Sequence, residues 1–354
     1  MTGLSPRERL TYALRAAIAF VLYYSGILGL IRRVRMRRKA VVLMYHRVLT
    51  ADESRQTASQ PGLVVERATF ARHLEILTRD FKVLTFDEFA DHLRRRAPFD
   101  RPSCLITFDD GWIDNLQNAL PLMQRFRVPS VIFLPVHFIG GQRLFTREAL
   151  THLLVRALAA VRRSPARRET FAGLLAPLGL EPVLDLDDTQ SLPGVMRLLG
   201  AHRYASGPEF EALVAALSSE LGVDAAGLST SDTFIDWDQV DEMCRHGVTF
   251  GGHGADHRVL TQVSPELVRF EVATSKAVLD ARLSTPARSF AYPNGGWNDA
   301  VAAAVRDGGY EFAFTIEPGH VSCDDNAMAL RRMTMHDDMT RSAPMFMARL
   351  AGVF

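Results

Sequence analysis

Charge of one sign is what this sequence most plainly lacks: 41 lysines and arginines stand against 40 aspartates and glutamates in 354 residues. A chain so nearly neutral has no electrostatic basis for gripping a polyanion, and nucleic-acid binding is not expected of it. Cysteine is scarce too. Cys104, Cys244 and Cys323 are widely scattered and form no C-x-x-C, which argues against a disulfide framework or a thiolate metal cluster and leaves a reducing compartment open. Internal repeats and low-complexity tracts are missing. At 47% hydrophobic and 23% charged, the chain is neither disordered nor collagen-like, and its length suits one large α/β domain with an insertion, or two domains.

A full membrane-spanning run is also lacking. The longest uncharged apolar stretch, Ala16 to Ile31, would reach about 24 Å as a helix, short of the roughly 30 Å hydrocarbon core unless it begins at Leu10 and Arg15 snorkels. It ends in a basic cluster, Arg32, Arg33, Arg35, Arg37, Arg38 and Lys39, and not in the small residues of a signal-peptide cleavage site. Residues 1–39 are therefore expected to be an uncleaved membrane-associating helix. Its basic end would suit anionic headgroups on the inner face of the cytoplasmic membrane, as a peripheral or monotopic anchor. The alternative is an amphipathic helix that simply packs on the main domain.

From Ala40 onward short apolar runs alternate with helical patterns. Runs at 40–45, 103–108, 130–134, 248–251, 289–292 and 312–316 have the continuous β-rich character of parallel strands covered on both faces. Helices are expected at 69–80, 86–96, 113–126, 265–283 and 299–307, and the alternation implies a parallel α/β sheet or barrel. Residues 140–236 break the rhythm. They show helical periodicity at 146–163 and 208–221 with no convincing strand, which suggests a helical insertion between barrel segments 40–139 and 237–354.

Three segments at strand ends carry chemistry. Thr107-Phe108-Asp109-Asp110-Gly111 closes a buried strand with two adjacent carboxylates, a costly arrangement unless both have partners. Neighbouring side chains diverge there, so one carboxylate could bind a metal while the other acts as a base, although an Asp-Gly turn with a capping aspartate would look the same. Gly251 to His257 offers two histidines four apart on a glycine-rich loop, able to share a metal but weak as a signal alone. Phe290 to Trp297 runs a strand into a Pro-Asn-Gly-Gly turn that can present backbone N–H groups, or can be an ordinary connection.

In this order, and each at a strand end, the three segments resemble the motifs of the polysaccharide deacetylase family, the NodB-like carbohydrate esterases. The resemblance covers about Ala40 to Met339 apart from the insertion. It implies an incomplete TIM-like (β/α)7 barrel with its site at the C-terminal strand ends. It also implies Asp110, His253 and His257 as ligands of a divalent metal, commonly zinc, and Asp109 as general base. Tyr292, Pro293, Asn294 and Gly295 would wall the acetyl pocket, where a backbone N–H helps hold the oxyanion.

Departures from the pattern accompany it. Gly254 stands where a serine or threonine often steadies the loop, and Ala291 stands where an arginine often holds the base, a role open to Arg331 or Arg332. Met335-His336 poorly matches the usual C-terminal Leu-x-His motif. Tyr45-His46-Arg47-Val48 resembles a family branch in which His46 would be the general acid, and His46 is preferred to His336. The implied activity is metal-dependent N-deacetylation of a glycan or lipid-linked amino sugar. A deformylase or other amidase on such a sugar is a sibling reading, and a non-catalytic glycan- or membrane-binding module would have no need of Asp109 beside a full ligand set. Binuclear amidohydrolases would want an H-x-H at the first strand, which Tyr45-His46-Arg47 lacks.

Overall fold

The computed structural model describes residues 6–187, 191–200, 207–224 and 232–354, with side chains from residue 10 onward. These residues divide into two compact units, one comprising 6–54, Pro61–Gly141 and Phe234–Phe354, the other Arg55–Gln60 and Gln142–Thr233.

The larger unit is built on parallel strands. In chain order they are β1 (Ala40–Tyr45), β2 (Arg47–Leu49), β3 (Val64–Glu66), β4 (Lys82–Val83), β5 (Ser103–Asp109), β6 (Ser130–Leu134), β7 (Val248–Gly252), β8 (Ser289–Ala291), β9 (Phe312–Phe314) and β10 (Met333–Thr334). The main sheet runs β10-β1-β5-β6-β7-β8-β9, with β4 pairing on β5 and β2 and β3 forming a separate pair. Every pairing is parallel. Leu330 bridges to Phe314 of β9 just before β10 joins β1, so one short segment carries the curl of the sheet round from its last strand to its first. Seven strands thus form the incomplete barrel expected from the sequence.

The buried runs explain the topology. All six residues of β1, all seven of β5 and all five of β6 are buried, because interior side chains cover one face and helices the other. Helices Arg67–Asp80, Phe86–Arg94, Pro265–Arg282 and Asp299–Asp307 lie where their periodicity predicts. The helix expected at 113–126 is interrupted, with a π-turn at Asn115–Ala119 leading into Leu120–Phe126. The N-terminal segment also differs from the single helix expected. Helices Pro6–Tyr24 and Ile27–Arg35 meet at about 90°, because Gly26 at φ 77° takes a left-handed turn that ends the first helix. No single helix among the described residues is long and apolar enough to cross a membrane; only the bent pair passes that test together.

The smaller unit is helical, with Thr146–Arg163 and Pro208–Leu221 as its longest elements and no strand among its described residues. Helix 146–163 buries Ala149, Leu150, Leu153, Leu154, Ala157 and Val161, a stripe of helical period that meets Phe171 and Leu217 in one core. Residues 55–60 lie with this unit, although they precede β3. Thr57 Oγ1 and the Ala58 N–H donate to the buried Asp232 carboxylate at 2.7 and 3.0 Å, and His152 Nε2 bonds it at 2.9 Å.

Candidate active site

Every singled-out motif lies at or just past the C-terminal end of a barrel strand. Asp109 ends β5 and Asp110 follows it, His253 follows β7, Pro293 comes soon after β8, and His46 links β1 to β2. The left-handed backbone at Asp110 (φ 77°) and Gly111 (φ 73°) turns the chain sharply there. A Cβ on Gly111 would meet Leu134 Cδ2 at 2.5 Å. Glycine is required for that close approach.

The turn separates the two carboxylates. Asp109 and Arg332, 2% and 0% exposed, form a bidentate pair at 2.6 and 2.7 Å. Burial alone would raise the Asp109 carboxyl, but Arg332, His253 and His46 outweigh it and hold the group well below the usual carboxylate range. Arg332 is itself fixed by bonds to the Thr315 carbonyl at 2.9 Å and Thr107 Oγ1 at 3.3 Å. It therefore fills the place left by Ala291, while Arg331 is exposed and lies near Glu317.

Asp110 faces the other way. Its Oδ2 accepts from Trp112 Nε1 at 2.9 Å, whereas its buried Oδ1 has no hydrogen-bond partner. That oxygen lies 3.5 Å from His253 Nε2 and 3.4 Å from His257 Nε2. His253 Nδ1 donates to the Ala291 carbonyl at 2.7 Å, which leaves the Nε2 lone pair directed inward when the ring is neutral. Burial, the largest cause, takes both imidazoles down to about 4 even though Asp109 opposes the shift. A buried unpartnered carboxylate oxygen beside two neutral imidazoles, all three ligand atoms within 4.8 Å of one another, suits a divalent cation of the zinc type.

The loop between the histidines is steadied by a residue that no motif reveals. Glu271, fully buried on helix 265–282, accepts the N–H groups of Ala255 and Asp256 on one oxygen at 2.8 and 2.9 Å. A Cβ on Gly254 would stand 2.7 Å from that oxygen, with φ at 80°. Carboxylate and glycine go together here, in place of a hydroxyl at 254.

His46 Nε2 is 3.9 Å from Asp109 Oδ2, and its buried Nδ1 has no partner. Its backbone is clamped from the π-turn: Asn115 Nδ2 donates to the His46 carbonyl at 2.8 Å, and Asp114 accepts from Arg47 Nε at 2.7 Å and the Val48 N–H at 2.6 Å. Tyr45 is structural, its hydroxyl bonded to His73 Nδ1 at 3.1 Å in the core. His336 also has an unpartnered Nδ1, but burial holds its pKa below the ordinary value, with His46 close enough to add to the shift.

The Pro-Asn-Gly turn is more divided than expected. Tyr292 is fully buried and spends its hydroxyl on the Met328 carbonyl and its N–H on the Phe314 carbonyl, so it supports the turn from beneath. Pro293 has no N–H, and the Gly295 N–H is bonded to Tyr292 at 2.8 Å. The exposed Asn294, at φ 52°, carries the N–H the turn can still offer.

A family model described as polysaccharide deacetylase matches residues 205–313, a stretch that takes in His253, His257 and the 293–295 turn but begins after Asp109 and Asp110. The Bacillus subtilis (strain 168) protein named "Putative polysaccharide deacetylase YxkH" is 22% identical over 306 residues, covering 86% of this chain and 74% of its own length. Over these stretches the chain is similar to polysaccharide deacetylases. Two solved structures share its fold. The Streptococcus pyogenes deacetylase PplD, in complex with acetate, superposes with a TM-score of 0.54 at 18% identity over 86% of this chain and 95% of its own. IcaB from Ammonifex degensii gives 0.55 at 18% identity over 88% and 97%.

Proposed function

We propose that this protein is a metal-dependent hydrolase that removes N-acetyl groups from a glycan or a lipid-linked amino sugar. The reading rests most heavily on the divided carboxylate pair: Asp109 is locked to Arg332, while Asp110 presents a bare buried oxygen to two histidine nitrogens. Asp110, His253 and His257 would hold the cation. A divalent ion held there would supply Lewis acidity toward the acyl group.

The other side chains account for the protons. Asp109, kept ionised by Arg332, accepts the proton of the attacking water. Its basicity is weak, so the proton rests there only briefly before it moves on. His46, whose Nε2 lies 3.9 Å from Asp109 Oδ2, donates a proton to the leaving amine. The Asn294 N–H would bond the acyl oxygen as charge develops there. Acetate and a free amino sugar are the products.

We further propose that the protein works on the inner face of the cytoplasmic membrane. The large apolar side chains left exposed on the N-terminal helices support this, among them Leu10 (72%), Leu14 (60%), Val21 (63%), Leu30 (62%) and Val34 (66%). The enzymatic reading is tested by incubating the purified protein with N-acetylated and N-formylated amino sugars, soluble and lipid-linked. Acetate release that is lost in Asp109→Asn is expected. Formate release without acetate would reassign the acyl group, and release of neither from any substrate would refute hydrolysis.

A further inference from the structure

Beside the N-terminal helices lies a cavity of about 500 Å3, between the end of helix Ile27–Arg35, the entry to β1, the loop at 318–320 and the turn after helix Ala343–Leu350. Its polar lining is cationic. Arg35, Arg37, Lys39, His320 and Arg349 contribute to it, and no aspartate or glutamate does. Among the described residues none of the five is ion-paired to a side-chain carboxylate. Arg35 is bonded to the carbonyls of Ala351 and Gly352, His320 to that of Leu350 at 2.7 Å, and Arg349 to the Thr334 carbonyl and to the terminal oxygen of Phe354 at 3.1 Å. Burial first, and then Lys39 and Arg35, hold the His320 imidazole below its ordinary pKa, as expected where positive charges are crowded together.

The cavity adjoins a bare apolar stripe. Val34 lines it and is 66% exposed, and Leu30 and Ile27 continue the same face of the helix. Across the bend, exposed Leu10, Leu14, Val21 and Tyr24 extend the apolar surface along helix Pro6–Tyr24, whose other side packs on helix 343–350. An apolar surface that ends at a cationic cavity matches the cross-section of one leaflet, with acyl chains first and phosphates next. A protein partner would have to supply the same sequence of apolar surface and anion.

We infer that this cavity receives the phosphate of an anionic phospholipid headgroup when the N-terminal helices lie in the membrane interface. The inference rests on the membrane reading above and adds a defined headgroup site to it. The site makes attachment depend on particular cations, where a diffuse basic surface would depend only on their number.

The test uses the full-length protein and flotation with vesicles of phosphatidylcholine, with and without phosphatidylglycerol. Two charge-matched variants are compared: Arg37→Glu with Lys39→Glu inside the cavity, and Arg33→Glu with Arg38→Glu outside its lining. The cavity variant is expected to lose at least about 30-fold in partitioning to the anionic vesicles, and the outer variant less than about five-fold. The neutral variant Arg37→Gln with Lys39→Gln should fall between wild type and the cavity variant, and circular dichroism melts identify any variant that has unfolded. Equal losses in the two reversed variants would overturn the headgroup site. Equal binding of wild type to neutral and anionic vesicles would do the same. Failure to float on any vesicle would overturn the membrane reading itself, and acetate release in solution would still report separately on the enzyme.

Discussion

Removing the arginine that holds Asp109 should leave a recognisable energetic signature. In Arg332→Met the Asp109 carboxylate loses two charge-assisted bonds of 2.6 and 2.7 Å at a site where it is only 2% exposed to bulk water. Breaking a buried pair from one side costs about 3–5 kcal/mol, mostly the penalty of the charge left behind. Arg332 also loses its bonds to Thr315 and Thr107, so part of the cost has nothing to do with Asp109. A double-mutant cycle separates the two parts. In an Asp109→Asn background Arg332→Met should cost only about 1–2 kcal/mol, a coupling of about 2–3 kcal/mol between the residues. The pH dependence has a definite sign. In the wild type the folded Asp109 pKa is depressed, so its stabilisation is present above the unfolded value of about 3.9 and lost as pH falls through the folded value. Without Arg332, burial dominates and lifts the folded value above the unfolded one, so the variant loses stability as pH rises between them. Urea denaturation at neutral pH and near pH 4 should therefore show the gap between variant and wild type narrowing in acid. A gap independent of pH, or a cost unchanged by Asp109→Asn, would refute the assignment of Arg332 as the partner of the base.

Other consequences are as direct. Gly254→Ser should weaken metal binding by about tenfold or more, because its Cβ meets Glu271 at 2.7 Å and its φ is 80°, and Glu271→Ala should recover part of that loss; calorimetric metal titration of the single and double variants checks both. His46→Ala should lower turnover with little change in metal content and alter the high-pH limb of the rate profile, whereas His336→Ala should leave that limb in place; the opposite result would reverse the choice of acid. His253 and His257, with folded values of about 4 against an unfolded value of about 6.5, stabilise the metal-free protein fully only above the unfolded value, so its stability should decline as pH falls from 6.5 towards 4. Replacing both histidines with glutamine should flatten that decline.

Most of the barrel was legible because its central strands are buried on both faces: β1, β5 and β6 read as unbroken apolar runs, and their ends coincide with the polar motifs. Illegible were elements held by distant partners. β10 is two residues long and exists only through pairing with β1, and β2 and β3 pair only with each other. The same holds within the site. Asp109, Asp110, His253 and His257 could be found by chemistry at strand ends. The choice of Arg332 over Arg331 depends on which side chain turns inward, and Glu271 lies fourteen positions past His257 on an otherwise ordinary helix. The apolar N-terminal run was visible, but the bend at Gly26 was not, since glycines such as Gly26 and Gly29 within an apolar run are compatible with a continuing helix.

The two adjacent aspartates are assigned different work, and paired measurement of bound metal and acetate release in wild type, Asp109→Asn and Asp110→Ala decides whether they do it. A stoichiometric divalent metal and turnover are expected in wild type, metal without turnover in Asp109→Asn, and neither in Asp110→Ala. Full turnover in Asp109→Asn, or a wild-type protein that releases acetate while binding no divalent metal, would contradict the assignment.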